Sequence, residues 1–119
     1  MKKTTLTIAI PAYNEGRHIA NLVLSLFKQR EESYELANIV VASDGSSDNT
    51  VPSLEKIKNK KLTILISKKR RGKAYRQNQM FARTESDIIV LLDADIVISQ
   101  PNFIELLIKP IISGVADMT

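Results

Sequence analysis

The sequence contains no cysteine, only four glycines and no long hydrophobic run. Without cysteine there is no disulfide framework and no thiolate metal site, which fits a reducing compartment such as the cytoplasm. The apolar stretches fall far short of the roughly 20 residues that span a bilayer. The connections are short and charged rather than rich in glycine and serine, so we expect one small globular domain of 119 residues without a linker.

Basic residues outnumber acidic ones, and the formal net charge is +4. Much of the excess lies in two clusters, Lys56–Lys61 and Lys68–Lys73. Basic clusters are one feature of nucleic-acid surfaces. The second cluster has no interleaved aromatic residue beyond Tyr75, and acidic residues are expected on the same edge of the domain, so nucleic acid is not an expected partner. We therefore interpret the second basic cluster as positive charge that balances a diphosphate.

Strand-forming and helix-forming patterns alternate along the chain. Four short apolar runs predict strands, and the segments between them have helical periodicity. Strands that alternate with helices indicate a parallel sheet with right-handed crossovers. We therefore predict an α/β layered fold, with a mainly parallel sheet flanked by helices. The predicted strands are Leu6–Ile10, Asn38–Ser43, Leu62–Ile66 and Asp87–Leu92.

The first two predicted helices have recognisable start signals. The first begins near Gly16, and Asn14 is expected to cap it because asparagine is favoured at the N-cap. The second runs to about Lys58, and Ser47 or Asp48 is expected to cap it for the same reason.

The last two predicted helices follow the second basic cluster and the final strand. The first of them, Lys73–Thr84, is expected to turn one face towards the sheet. The other, Asn102–Ile112, is expected to end near Pro110 or Gly114, since both residue types disfavour a continuing helix. In the predicted helix Lys73–Thr84, the residues expected to face the sheet are Ala74, Asn78, Phe81 and Ala82.

Polar residues follow every predicted strand at its carboxyl end. The four stretches are PAYNEG, DGSSDNT, KKRRGK and DAD, in chain order. In parallel α/β sheets ligands bind at the carboxyl ends of the strands. The sequence therefore predicts that these four stretches converge on one ligand site.

Asp93 and Asp95 follow a strand that is apolar from Ile88 to Leu92, so we interpret it as a buried central strand. Residues i and i+2 of an extended chain point the same way, so both carboxylates can address one ligand. Oxygen ligands without histidine or cysteine suit Mg²⁺ or Mn²⁺, which bind through one or two carboxylates and substrate phosphates. The alternative is that both acids only face water or cap the following turn.

Asp44 stands where the second predicted strand meets the turn that follows it. Its carboxylate can accept a hydrogen bond from a ring N–H of a nucleotide base. The alternative is that the whole stretch DGSSDNT only forms a turn and a helix cap. His18, the single histidine, is expected at the surface without a catalytic part.

Four segments in this order and spacing resemble the inverting family 2 glycosyltransferases, which have the Rossmann-like GT-A fold. The resemblance extends from Thr5 to about Met118. It implies a sugar transferred from a nucleotide-diphosphate sugar, with UDP-sugars as the usual donors. The segments are IAIPAYNEG, VVASDGSSDNT, RRGKAYRQNQMFA and DIIVLLDADI.

The resemblance also implies a role for each matching residue. The first loop would line the nucleotide pocket through Pro11, Ala12, Tyr13 and Glu15. Asp44 would bind the base edge, Lys73 would approach the base or diphosphate, and Asp93 would lie near the ribose and sugar. Asp95 would coordinate Mn²⁺ or Mg²⁺, a Lewis acid that stabilises charge on the departing diphosphate.

Two departures from the family pattern concern the loop and the acids. Ala74 and Tyr75 stand where the family often has a glycine, and Ile96 stands where a third acid often follows. Glu105 and Asp117 are the remaining acids after Asp95, and neither matches the family's catalytic base.

Family members continue into a half that holds the acceptor site and the catalytic base. We therefore expect residues 1–119 to be the truncated, donor-binding N-terminal part of a longer enzyme, with no catalytic residue within the chain and no transfer activity alone. Its uncovered apolar surface would favour self-association. The acceptor would be a carbohydrate or a lipid-linked sugar, the latter placing the full-length protein at the cytoplasmic face of a membrane.

Two other functions compete with this interpretation. The chain could be a nucleotide-binding module without catalysis. It could also be a phosphatase of the haloacid dehalogenase type, with Asp93 as nucleophile and Asp95 as general acid, although that motif follows the first strand in those enzymes.

Overall fold

The computed structural model describes residues 3–112, which form one parallel four-stranded sheet with helices packed on it. The strand order is β3-β2-β1-β4, and every neighbouring pair is parallel. The predicted α/β fold is therefore confirmed. In chain order, the elements are β1 (Thr4–Ala12), α1 (Ile19–Phe27), β2 (Tyr34–Asp44), α2 (Thr50–Glu55), β3 (Leu62–Ser67), α3 (Lys73–Phe81), β4 (Ile88–Leu91) and α4 (Phe103–Ile112).

The sheet is covered on both faces, and β1 and β2 are accordingly buried over most of their length. Alternate residues of each strand belong to different apolar clusters. The larger cluster joins β1 residues such as Ile8 to Leu22 of α1 and Ile104 of α4. The smaller cluster, on the other face, joins Ala9 to Met80 of α3. The two clusters fix the sheet between the helices and so fix where its carboxyl edge lies.

Strand β4 lies at the edge of the sheet formed by residues 3–112, so its interpretation as a central strand stays a prediction. Ile88 and Val90 face the core, whereas Leu91 is 39% exposed. An apolar run does not distinguish an edge from a centre, because one buried face already requires alternate apolar residues. The expected exposure of apolar surface is found here and at Leu106 of α4, which is 55% exposed.

The first helix begins at Ile19 rather than near Gly16, and Asn14 does not cap it. Asn14 has a φ of 49°, in the left-handed region that asparagine tolerates better than most residues. Its Oδ1 instead accepts a hydrogen bond from the backbone N–H of Ser47, at 2.8 Å. Asn14 therefore joins the loop after β1 to the loop after β2.

Neither Ser47 nor Asp48 holds the N-cap position of the second helix, so the predicted cap is wrong in position, but Asp48 still binds the first residue of the helix. Its Oδ1 accepts a hydrogen bond from the backbone N–H of Thr50 at 2.9 Å, although Asn49 holds the N-cap position. The helix ends at Glu55, one turn earlier than the expected end near Lys58.

The inward face of α3 differs from the prediction. Arg76 and Met80 are its buried residues, whereas Phe81 is 41% exposed and Ala74 and Asn78 are exposed. Ala82 follows the end of the helix and is exposed too. This face is turned inward because the guanidinium of Arg76 is buried against partners on other segments. Helical periodicity of apolar residues does not predict a buried arginine.

Helix α4 continues past Pro110 to Ile112, while Gly114 and Asp117 lie outside the described residues. Glu105 in its first turn accepts hydrogen bonds from the backbone N–H groups of Glu32 and Ser33, at 2.7 and 2.8 Å. These bonds join α4 to the loop before β2. Among residues 3–112, no helix is long and apolar enough to cross a membrane.

Candidate functional site

A cavity of about 380 Å³ opens at the carboxyl ends of β1, β2 and β4. All eight residues predicted for the site line this one cavity, so the expected convergence is found. Arg70 and Ala94 line it as well and were not predicted as site residues. The predicted residues are Pro11, Ala12, Tyr13, Glu15, Asp44, Lys73, Asp93 and Asp95.

The first wall is the end of β1 and the loop that follows it. Ala12 pairs in register with Ser43 of β2, which places Tyr13 beside the end of β2. The backbone N–H of Glu15 donates to Thr50 Oγ1 at 2.9 Å, and Asn14 binds the backbone of Ser47. These bonds fix the loop, so Tyr13 is held in the cavity wall with its side chain 37% exposed.

Asp44 forms the floor of the cavity and is only 4% exposed. Its Oδ1 accepts hydrogen bonds from the backbone N–H of Arg71 at 2.6 Å and from Arg76 Nε at 2.8 Å. Its Oδ2 accepts one from the backbone N–H of Gly72 at 2.8 Å. A carboxylate can accept about four hydrogen bonds, so one acceptor position remains on Oδ2.

Two opposing effects act on the pKa of Asp44. Burial alone would raise the pKa, but the hydrogen bonds from Arg71, Gly72 and Arg76 outweigh it and hold the pKa below its ordinary value. The carboxylate is therefore charged at neutral pH. A charged acceptor in the floor of the cavity favours a ligand that presents an N–H donor.

The second wall is the basic loop, residues 68–72, between β3 and α3. The guanidinium of Arg70 lies 3.6 Å from the centre of the Tyr13 ring, and its Nε is 3.9 Å from Asp44 Oδ2. Gly45 has a φ of +70°, and a Cβ there would lie 3.0 Å from the backbone nitrogen of Arg70. Glycine at position 45 thus permits the close approach of the loop to the end of β2.

Asp93 and Asp95 lie in a turn after β4 rather than in an extended chain, so the expected i, i+2 strand geometry is wrong. The backbone N–H of Ile96 donates to Asp93 O at 3.4 Å, which closes the turn. Both carboxylates still line the cavity. Lys73, the first residue of α3, donates a hydrogen bond from Nζ to Asp93 Oδ1 across it.

The residues of the cavity suit a metal ion that is coordinated partly by the protein and partly by a bound phosphate group. Residues 3–112 contain no group of three histidine, cysteine or acidic side chains that could enclose a metal ion. Within the same range Asp95 has neither a hydrogen bond nor an ion pair, whereas Asp93 is paired with Lys73. One or two carboxylates completed by phosphate oxygens and water are a usual Mg²⁺ or Mn²⁺ site. A metal held entirely by protein ligands does not fit these residues.

Other residues considered from the sequence lie elsewhere. His18 is exposed and does not line the cavity. Glu105 lies in a different depression, beside Arg30 and Ser33, where its carboxylate holds the backbone of the loop before β2. The cavity thus combines acidic residues with Arg70 and Lys73, an arrangement that suits an anionic ligand bridged by a cation.

One protein family and one curated protein are similar to this chain in sequence. The model of the family described as Glycosyl transferase family 2 matches residues 7–119. The poly-β-1,6-N-acetyl-D-glucosamine synthase of Staphylococcus aureus (strain COL) is 32% identical over 96 residues, which are 80% of this chain and 23% of that protein. The chain therefore spans about a quarter of the length of this curated relative.

Two solved structures share the fold. A mannosyltransferase of Pyrobaculum calidifontis, in complex with GDP-mannose and Mn²⁺, has a TM-score of 0.79 at 23% identity, over 93% of this chain and 33% of that chain. Residues 1–349 of TarS of S. aureus, in complex with UDP-GlcNAc, have a TM-score of 0.77 at 24% identity, over 92% of this chain and 31% of that chain.

Proposed function

The chain belongs to glycosyl transferase family 2 and has the GT-A fold, and we propose that its cavity binds a nucleotide-diphosphate sugar together with a divalent metal ion. The observation that carries the proposal is the meeting of three chemistries in one cavity. A charged acceptor lies at Asp44, cations at Arg70 and Lys73, and a carboxylate without a partner among the described residues at Asp95.

The nucleotide is assigned to the part of the cavity between Tyr13 and Asp44. The acceptor position left on Asp44 Oδ2 suits a ring N–H, which uracil has and adenine lacks. Guanine also carries a ring N–H, and the P. calidifontis enzyme was solved with GDP-mannose. UDP-sugars are the proposed donors because TarS was solved with UDP-GlcNAc and the S. aureus synthase is named for a product of N-acetyl-D-glucosamine.

The diphosphate is assigned to the side of the cavity that holds the remaining charged groups. Arg70 and Lys73 would orient the phosphate oxygens, and Asp95, with Asp93 beside it, would hold Mn²⁺ or Mg²⁺. The P. calidifontis enzyme was solved with Mn²⁺. Such a metal ion supplies Lewis-acid stabilisation of the leaving diphosphate. Pro11, Ala12 and Glu15 would line the part of the cavity that is assigned to the nucleotide.

We propose that residues 1–119 form the donor-binding part of an inverting transferase. The acidic side chains of the cavity are assigned to the donor and the metal, so a base for the acceptor hydroxyl would come from another part of the enzyme. The acceptor would be a carbohydrate or a lipid-linked sugar, with the enzyme in the cytoplasm or at the cytoplasmic face of a membrane. The family match leaves no support for the phosphatase alternative.

The donor site is tested by thermal shift with nucleoside diphosphates. We expect UDP to raise the melting temperature more with Mn²⁺ or Mg²⁺ than with a chelator, because Asp93 and Asp95 repel a diphosphate that lacks a cation. ADP is the matched control, since adenine has no ring N–H for Asp44. Equal shifts with UDP and ADP, or equal UDP shifts with metal and chelator, would contradict the proposal.

Sugar transfer distinguishes the enzyme from a binding module without catalysis. We expect the 119-residue chain to bind UDP without transferring sugar from a UDP-sugar, and the full-length protein to transfer it. Product formation is measured with radiolabelled donor and a panel of carbohydrate acceptors. Transfer by the 119-residue chain would show that the base lies within it, and a full-length protein that binds but never transfers or hydrolyses the donor would favour the module.

A further inference from the structure

Arg76 is a buried arginine on α3 that does not line the cavity. Its side chain is 3% exposed, and its guanidinium donates hydrogen bonds to three different segments. Nε binds Asp44 Oδ1 at 2.8 Å, Nη2 binds the backbone oxygen of Lys69 at 2.8 Å, and Nη1 binds Gln79 Oε1 at 3.0 Å. The three acceptors belong to the end of β2, the basic loop and α3.

Stability alone is a weak reason for this arrangement. Removing a guanidinium from water is costly, and well-packed apolar residues often replace a buried ion pair without loss of stability. An arginine does what an apolar side chain cannot, because its planar group binds several acceptors in fixed directions. At Arg76 those directions set the distance between Asp44 and the basic loop.

The loop carries Arg70, one of the two cations that line the cavity. Asp44 holds it through the backbone N–H groups of Arg71 and Gly72, and Arg76 holds it through the backbone oxygen of Lys69. The residue between these anchors is Arg70, whose guanidinium lies over the Tyr13 ring. The position of Arg70 therefore depends on anchors on both sides of it.

We propose that Arg76 is a positioning residue for the donor site, acting through Asp44 and the basic loop without touching the ligand. It fixes the basic loop that carries Arg70 over the Tyr13 ring and occupies Asp44 Oδ1, so that Oδ2 is the oxygen left for the base. This inference rests on the proposed donor function of the cavity.

The test compares Arg76→Met and Arg76→Lys with the wild-type chain by calorimetric titration of UDP with Mn²⁺. Arg76→Met is expected to weaken UDP binding about tenfold or more. Arg76→Lys keeps the charge but not the planar group, so we expect it to fold and still to bind UDP several-fold more weakly than wild type. Arg83→Met is the matched control, since Arg83 is exposed after the same helix and outside the cavity; its UDP affinity should be unchanged.

A double-mutant cycle separates positioning from general support of the fold. If Arg76 acts partly by placing Arg70, Arg76→Lys should cost less affinity in an Arg70→Ala background than in the wild-type chain. A purely structural role would give the same fold-change in both backgrounds. If Arg76→Met fails to fold, the comparison is made with Arg76→Lys alone.

The possible results separate the inference from the proposed function. A wild-type chain that binds UDP, with Arg76→Lys binding equally well, would overturn the inference and leave the donor site standing. Independent effects of Arg70 and Arg76 would also overturn it. A wild-type chain that does not bind UDP would overturn the proposed function, and the role of Arg76 would fall with it.

Discussion

Replacing Asp44 with alanine is expected to destabilise the folded chain by about 3–5 kcal/mol, because Arg76 would remain as a buried charge without its partner. Arg76 is 3% exposed, and Asp44 is 4% exposed. The substitution also removes the acceptor for the backbone N–H groups of Arg71 and Gly72. The free energy of unfolding from urea titrations, followed by circular dichroism, measures the loss.

The matched control is Asp93→Ala, which breaks the ion pair of Asp93 with Lys73. Both side chains of that pair are 59% exposed, and an exposed pair contributes at most about 1 kcal/mol. Asp93→Ala should therefore leave the free energy of unfolding almost unchanged. Similar losses in the two variants would contradict the buried ion pair as the anchor of the basic loop.

Replacing Asp95 with alanine is expected to abolish the effect of metal on UDP binding while leaving the fold intact. Asp95 is exposed and forms no hydrogen bond or ion pair within residues 3–112, so its removal breaks no contact there. Without its carboxylate the metal ion would lose its main protein ligand. We expect UDP affinity in Mn²⁺ to fall about tenfold or more, to the value found with chelator. Calorimetric titration of UDP with and without Mn²⁺ measures both values.

Glu85→Ala is the matched control for Asp95→Ala, because Glu85 is also exposed but lies outside the cavity. It should keep the full metal effect on UDP binding. A metal effect that persists in Asp95→Ala would remove Asp95 from the metal site. If Asp93→Ala then abolished the effect, Asp93 would be the main ligand, freed from Lys73 when donor binds.

The sequence predicted the fold and the convergence of the four polar stretches because both depend on short-range patterns. The periodicity of apolar residues in segments such as Leu6–Ile10 identifies strands that are buried on both faces. Once strands and helices alternate, the parallel sheet follows, and its carboxyl edge collects the residues after each strand. The stretches that contain Tyr13, Asp44 and Asp95 could thus be assigned to one site, although Tyr13 and Asp95 are 82 positions apart. The role of Tyr13 itself was implied by the family resemblance.

The parts that the sequence did not predict depend on contacts between distant segments. Arg70 is one of several cations in its cluster, and only its position over Tyr13 distinguishes it. Arg76 breaks the apolar pattern of α3, and its burial follows from Asp44, 32 residues earlier. Asn14 has the features of a helix cap, yet its left-handed backbone turns its side chain to the loop after β2. Local patterns contain no signal for such pairings.

The most direct test of the donor site is a crystal structure of the chain grown with UDP and Mn²⁺, with anomalous scattering used to locate the metal. We predict one manganese peak at coordination distance from an Asp95 carboxylate oxygen, bridging to the diphosphate, with the uracil ring N–H donating to Asp44 Oδ2. A manganese peak away from Asp95, or UDP bound outside the cavity between Tyr13 and Asp95, would contradict the assignment.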